Sequence, residues 1–216
     1  MTALPVPRPP RTWRDQAAYL CRRAWWMEIC GYQAIYRYVF RRPRVPPGAT
    51  GFTYHQPVLA LLLAFIGVSA VEMVVVDLLV RRWESVRIGL LALSIWGLVW
   101  MVGLLFGMLT RPHAVGPQGI RVRSGSEIDI PLDWDAVSAV TRVRRAAQDK
   151  QPTVTVDDNG TRTLHLRMQN EANLEIELTR TVAARLPSGT ETVARVELYA
   201  DQPQAFLDAV ARHRPR

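Results

Sequence analysis

Two stretches decide how this chain is read: PVLALLLAFIGVSAVEMVVVDLLV at 57–80 and IGLLALSIWGLVWMVGLLFGML at 88–109. At about 1.5 Å per helical residue they reach roughly 36 and 33 Å, against a bilayer hydrocarbon core of about 30 Å. Apolar runs this long and continuous read as two transmembrane helices rather than as buried helices of a soluble domain. Pro57 suits the first turn of a helix, where its missing N–H costs nothing. Only residues 81–87 join the two spans, which leaves room for nothing but an antiparallel hairpin.

Working outward, charge separates the chain into unlike parts. The 216 residues carry a formal net charge of +8, and residues 1–56 hold nine Arg against only Asp15 and Glu28. Residues 57–110 balance Arg81, Arg82 and Arg87 with Glu72, Asp77 and Glu84, and residues 111–216 are close to neutral. The basic arm is interleaved with Trp and Tyr and abuts an apolar span, a pattern that points to anionic lipid headgroups and away from nucleic acid. Arg22, Arg23, Arg37, Arg41, Arg42 and Arg44 are therefore the candidate membrane-surface residues. Arg37, Arg41, Arg42 and Arg44 before the hairpin, with Arg111, Arg121 and Arg123 after it, outnumber the three Arg of the connection. That asymmetry predicts a multi-pass protein with both termini cytoplasmic.

Residues 1–10 contain Pro5, Pro7, Pro9 and Pro10 and read as a disordered lead. From Trp13 to about Phe40 no Pro interrupts, and Trp13, Ala17, Leu20, Ala24, Met27, Gly31, Ala34 and Tyr38 recur at helical spacing. Opposite them lie Asp15, Arg22, Gln33 and Arg37, so residues 11–56 read as a basic, aromatic interfacial helix followed by a Pro- and Gly-rich loop. The alternative is a helix docked on the C-terminal domain. Cys21 and Cys30, nine apart on a helix, face opposite sides and cannot bridge. No apolar h-region precedes residue 57, so the first span is expected to serve as its own insertion signal.

After residue 110 the period falls to two. Ile128, Ile130 and Leu132 alternate with Glu127, Asp129 and Asp133; Leu164, Leu166 and Met168 with His165 and Arg167; Leu174, Ile176 and Leu178 with Glu175 and Glu177. Such segments are strands with one wet face. Gly116-Pro117-Gln118-Gly119, Ser124-Gly125, Asp157-Asp158-Asn159-Gly160 and Pro187-Ser188-Gly189 supply turns, the third a strong hairpin signal. An antiparallel meander is predicted over residues 111–216, closed by a helix from about Pro203 whose Phe206, Leu207 and Val210 share an apolar face.

The run Gly119-Ile120-Arg121-Val122-Arg123-Ser124-Gly125-Ser126-Glu127-Ile128-Asp129-Ile130-Pro131-Leu132, followed by Val137-Ser138-Ala139-Val140, resembles the opening of bacterial membrane-anchored pleckstrin-homology-like domains, which typically follow paired transmembrane helices. The resemblance covers about residues 57–212. The chain is similar to actinobacterial membrane proteins of that kind, and twenty-six Arg against one Lys suits such a source. The resemblance implies an antiparallel β-sandwich or barrel with a C-terminal capping helix, at a bacterial plasma membrane, and a binding or assembly role. The fold class expected is thus an α+β membrane protein: amphipathic helix, transmembrane hairpin over 57–110, then the β-domain.

Ionisable groups inside a span are costly and often mark ion or proton pathways, which makes Glu72 and Asp77 the intramembrane candidates. Their position favours a structural role, with Asp77 four residues before Arg81 and able to pair with it, and Glu72 able to snorkel or to reach Arg87. Gly103 and Gly107 form a GxxxG for close helix packing, either within the hairpin or between copies of the chain. His55, His113, His165 and His213 show no metal-ligand spacing, and no nucleophile elbow, phosphate loop or dinucleotide fingerprint is present. No catalytic residue, metal ligand or cofactor is assigned. A non-enzymatic interaction module with lipid and protein partners is expected, the alternative being an accessory subunit of a transporter or membrane enzyme. The Asn159-Gly160-Thr161 acceptor pattern falls at a predicted hairpin tip on the cytoplasmic side.

Overall fold

The computed structural model describes residues 13–42, 44–146, 153–187 and 189–214. The Pro-rich lead at 1–10 lies outside the described residues. The chain is α+β: helix α1 (Trp13–Val39), strand β1 (Thr50–Phe52), helices α2 (Gln56–Leu79) and α3 (Glu84–Thr110), and strands β2 (His113–Gly116), β3 (Gly119–Ser124) and β4 (Ile128–Asp133). A 3-10 turn at Trp134–Ala136 leads to β5 (Val137–Ala146), β6 (Val154–Val156), β7 (Arg162–Leu166), β8 (Glu171–Leu186), β9 (Gly189–Leu198) and helix α4 (Pro203–His213).

Helices α2 and α3 form the expected antiparallel hairpin and are long and apolar enough to cross a membrane. No side chain of α2 is buried within the chain, and only Gly103, Leu105 and Thr110 of α3 are. A core helix of a soluble domain would hide one face. The connection is tighter than the sequence suggested, because Glu84–Arg87 already forms the first turn of α3. That winding brings Arg87 onto α2, where Nε donates to Asp77 Oδ1 at 2.6 Å and Nη2 to Oδ2 at 3.1 Å. Asp77 therefore ties the two helices together across their turn instead of pairing with Arg81.

Residues 50–54, read from sequence as loop, belong to the β-domain. β1 pairs antiparallel with β2, and the first sheet runs β1-β2-β3-β4. Its β2–β3 turn depends on Gly119: φ is +141°, and a Cβ there would lie 2.1 Å from the Leu132 carbonyl oxygen. The second sheet is ordered β5-β8-β9-β7-β6, with β7 and β9 parallel. The meander is thereby corrected. Gln169 and Asn170, both at positive φ, reverse the chain after β7, yet β9 comes back between β7 and β8 and sets Val196 and Leu198 beside Leu164 and Leu166. Period-two alternation says which face a side chain takes and nothing about which strand lies next to it.

Both sheets and α4 share one core, including Val115, Ile120, Ile130, Leu174, Val196 and Phe206. Phe206 of α4 packs on Phe52 of β1 with ring centroids 5.1 Å apart. The C-terminal helix starts at Pro203 as the sequence indicated. The Asp157–Gly160 turn joins β6 to β7 with its tip exposed, also as expected.

Candidate functional site

The base of the hairpin is built into the β-domain rather than hung from it. Asp201, between β9 and α4, accepts hydrogen bonds from the backbone N–H of His55 at 3.3 Å and of Gln56 at 3.1 Å, so its carboxylate caps the N-terminus of α2 from 145 residues away. A buried anion at that position satisfies orphan donors and meets the positive end of the helix dipole. Asn173 holds the neighbouring residue, its amide bonding both the N–H and the C=O of Ala200. At the other foot, α3 passes into β2 through Arg111 and Pro112 alone.

His113 is the keystone of this joint. Its Nδ1 accepts the Arg123 backbone N–H at 3.0 Å, which leaves Nε2–H to donate to the Tyr199 carbonyl at 3.1 Å. The ring lies 4.7 Å from that of Tyr54, whose hydroxyl accepts from the Gly125 N–H. Complete burial pushes the imidazole pKa down from 6.5 to about 4. Between those values the unfolded chain binds a proton that the folded chain refuses, so stability falls as pH drops from 6.5 towards 4 and levels off below. The span corresponds to about 3 kcal/mol. Urea midpoints of the detergent-solubilised chain should show this decline; a flat profile over that window would mean that His113 accepts a proton in place.

Helix α1 crosses α3 at a glycine pair. A Cβ on Gly103 would approach the Gly31 Cα to 3.1 Å, so the two backbones touch with no side chain between them. Tyr38 stacks on Phe106 at 4.0 Å, and Glu28 accepts from Trp96 Nε1 at 2.7 Å and from Tyr32 at 2.9 Å. Arg23 grips Glu127 in the β3–β4 turn with two bonds of 2.8 and 2.9 Å. Thus α1 is docked on both the hairpin and the β-domain.

Beneath the crossing the helices diverge and leave a cleft of about 70 Å³ between α1, the last turns of α3 and the β3–β4 turn. Arg37, Arg44 and Arg111 line one part, and Trp100, Leu104 and Met108 another; none of the described lining residues is acidic. Arg111 donates to the Ser126 carbonyl at 2.7 Å, and Arg123 behind it donates to the carbonyls of Arg44 and Pro112 and to Asp129. Burial, and then the neighbouring charges of Arg111, Arg37 and Arg123, hold the Arg44 pKa below its ordinary value. This is a partly desolvated cationic pocket with an apolar wall, and its chemistry suits an anion.

The predicted site residues are thereby sorted. Arg22, Arg41 and Arg42 are exposed, Arg23 is engaged with Glu127, and Arg37 and Arg44 enter the cleft. Gly103 meets α1 instead of α2, because Gly31 presents the flat surface that fits it; Gly107 opens onto the cleft, with nothing within 4 Å of where a Cβ would stand. Glu72 is exposed on α2 and makes no hydrogen bond or ion pair with any described residue; of its two expected courses, snorkelling or reaching Arg87, the second is closed because Asp77 takes Arg87. Cys21 and Cys30 are free.

A second polar cluster went unseen in the sequence. Glu175 was read as a wet-face residue and Glu197 was not singled out, yet they are only 7% and 0% exposed. Arginines from neighbouring strands cover them, stems lying along the sheet. Glu197 receives Arg145 at 2.7 Å, Arg167 at 3.0 Å and His165 Nδ1–H at 2.6 Å, while His165 Nε2 lies 2.7 Å from the Thr155 hydroxyl. Carboxylate, imidazole and hydroxyl in line have the outline of a nucleophile relay. The load differs: two guanidinium groups already share the carboxylate, and Arg145 also reaches Glu175 at 2.8 Å. The arrangement is a cross-strand ladder that stitches β5, β8, β9, β7 and β6. Among the described residues no group of three or more His, Cys, Asp or Glu is placed to hold a metal ion.

Comparison of the chain with protein-family models, with curated proteins and with solved structures gives no match.

Proposed function

We propose that the chain is a non-enzymatic, membrane-tethered interaction module, in which the α2–α3 hairpin spans a bacterial plasma membrane and holds a pleckstrin-homology-like domain against the cytoplasmic face. One observation carries this reading: both feet of an apolar hairpin are fixed in the β-domain, α2 by the Asp201 cap and α3 by direct passage into β2. A domain mounted without a flexible linker keeps a set distance and orientation from the bilayer. That serves a scaffold that must present a surface at the membrane. Two sheets around one core with a C-terminal helix packed on it support the likeness in fold. Exposed Trp13, Trp25 and Tyr36 on α1 and Phe40 just beyond it, with the exposed Arg22, Arg41 and Arg42, suit the boundary between headgroups and hydrocarbon.

The test is topological and then biochemical. In a chain freed of Cys21 and Cys30, a cysteine at Ser85 should react with an impermeant maleimide added to intact cells, and one at Asp158 only after lysis. Crosslinking in native membranes should then yield a discrete protein adduct. Release of the chain by alkaline extraction, labelling in the reverse order, or absence of any adduct would each overturn the reading. Glu72 favours a second one, an accessory subunit of a transporter or membrane enzyme: an exposed acidic side chain in the last third of an apolar helix calls for a cation or donor supplied by another subunit.

A further inference from the structure

We propose that the cleft between α1 and α3 binds the phosphate of an anionic phospholipid, whose acyl chains continue along α3. The inference rests on the membrane-tethered reading and adds a defined lipid site to it. The cleft is graded in the direction a lipid is graded. Arg44 and Arg111 lie at the end of α3 and Arg37 faces them from α1, whereas Met108, Leu104 and Trp100 lead back into the apolar length of the helix. From Arg111 to Trp100 is about 16 Å at 1.5 Å per residue, the depth from a headgroup well into the hydrocarbon. Leu104 and Trp100 are 37% and 42% exposed, so the apolar wall is open on the side where chains would lie.

Size and charge agree. A cleft of about 70 Å³ has room for a phosphate group, since a single water needs only about 10–15 Å³ by a comparable measure. The Arg37 guanidinium has no hydrogen bond or ion pair with another described residue, and like charges crowd Arg44. An anion would relieve that repulsion and take charge-assisted hydrogen bonds in a site shielded from water. The carbonyl end of α3 works against an anion, so the site stands on its arginines. The apolar wall is what selects a phospholipid over inorganic phosphate.

The test uses the full chain, purified in neutral detergent and reconstituted into phosphatidylcholine nanodiscs with or without phosphatidylglycerol, with lipid retained through repurification measured by mass spectrometry. The wild type should retain phosphatidylglycerol in preference to phosphatidylcholine and should melt at a higher temperature in its presence. Arg37→Gln removes a side chain with no hydrogen-bond or ion-pair partner among the described residues and should lower that preference about tenfold. Arg142→Gln makes the same charge change on the exposed surface of β5, outside the cleft, and should leave it within about twofold. Gly107→Leu keeps every charge and fills the cleft, where a Cβ meets nothing within 4 Å, and should abolish the preference as well. Equal retention of the two lipids, wild-type retention by Arg37→Gln and Gly107→Leu, or an equal rise in melting temperature with inorganic phosphate alone would overturn the lipid site. A chain that leaves the membrane on alkaline extraction would overturn the tether itself, a separate result.

Discussion

Replacing Glu197 by Gln is expected to destabilise the five-stranded sheet by roughly 3–5 kcal/mol, because it removes the buried charge that Arg145, Arg167 and His165 share. The Glu197 side chain is inaccessible to solvent, and His165 and Arg167, its partners on Oε2, are only 8% and 14% exposed. Arg145 keeps Glu175 as a second acceptor, so the damage should concentrate on β7 and β9. The same contacts also set a pH dependence. Burial by itself would raise this carboxyl, but hydrogen bonds from His165 and Arg167 and the charge of Arg145 outweigh it and hold the pKa at about 2 instead of 4.5. The resulting stability is present above pH 4.5 and drains away as pH falls towards 2, about 3 kcal/mol in all. Hydrogen exchange of β7 and β9 amides in the solubilised chain should accelerate by roughly two to four orders of magnitude in Glu197→Gln, about the same 3–5 kcal/mol. The loss below pH 4.5 should flatten while the His113 decline between pH 6.5 and 4 persists. A loss under about 1 kcal/mol, typical of a surface ion pair, would show the ladder to be solvated.

Phe206→Ala should cost about 3–5 kcal/mol, the range for emptying a fully buried aromatic site. Phe206 is wholly buried and stacks at a tilt on Phe52, so the vacated space lies between α4 and β1, two elements far apart in sequence. Neither has much else to hold it: β1 is three residues long, and α4 buries only Phe206, Ala209 and Val210. Because β1 runs directly into α2, and the Asp201 cap sits just before α4, the loosened pair includes one foot of the hairpin. Exchange in residues 50–56 and 203–213 should rise together, with β3 and β4 less affected. Independent behaviour of the two segments, or a cost near that of a surface substitution, would mean that β1 is held by its β2 pairing alone.

Much of the architecture was legible from local pattern. Two apolar runs longer than a bilayer core, a period of two after residue 110, Asn159-Gly160 at a hairpin and Pro203 at a helix start are each statements about one segment, and the structure has each of them where the residues said. The candidate site was legible only in its ingredients. Arg37 and Arg44 were picked out for charge, but Arg37 parts from Arg22 through the side of α1 that meets α3 where Gly31 lies against Gly103, and Arg44, beyond α1, is held at the end of α3 by its N–H bond to the Thr110 carbonyl. Arg111 counted in the sequence only towards orientation, and its place beside Arg37 and Arg44 comes from the return of the chain at the foot of α3.

Composition and periodicity by themselves determined that this chain has an apolar hairpin, a basic helical arm and a β-rich C-terminal part, because those properties follow from side-chain hydrophobicity and backbone preference over short windows. Tertiary structure alone decided that β9 inserts parallel to β7, that Glu197 is buried beneath arginines, that Asp201 caps α2 and that Asp77 pairs with Arg87 and not Arg81. Each of these joins partners that local pattern cannot pair, from ten residues apart across the α2–α3 turn to 145 apart at the Asp201 cap. Their energy comes from excluding water around specific contacts, and that exclusion exists only once the whole chain has closed on itself.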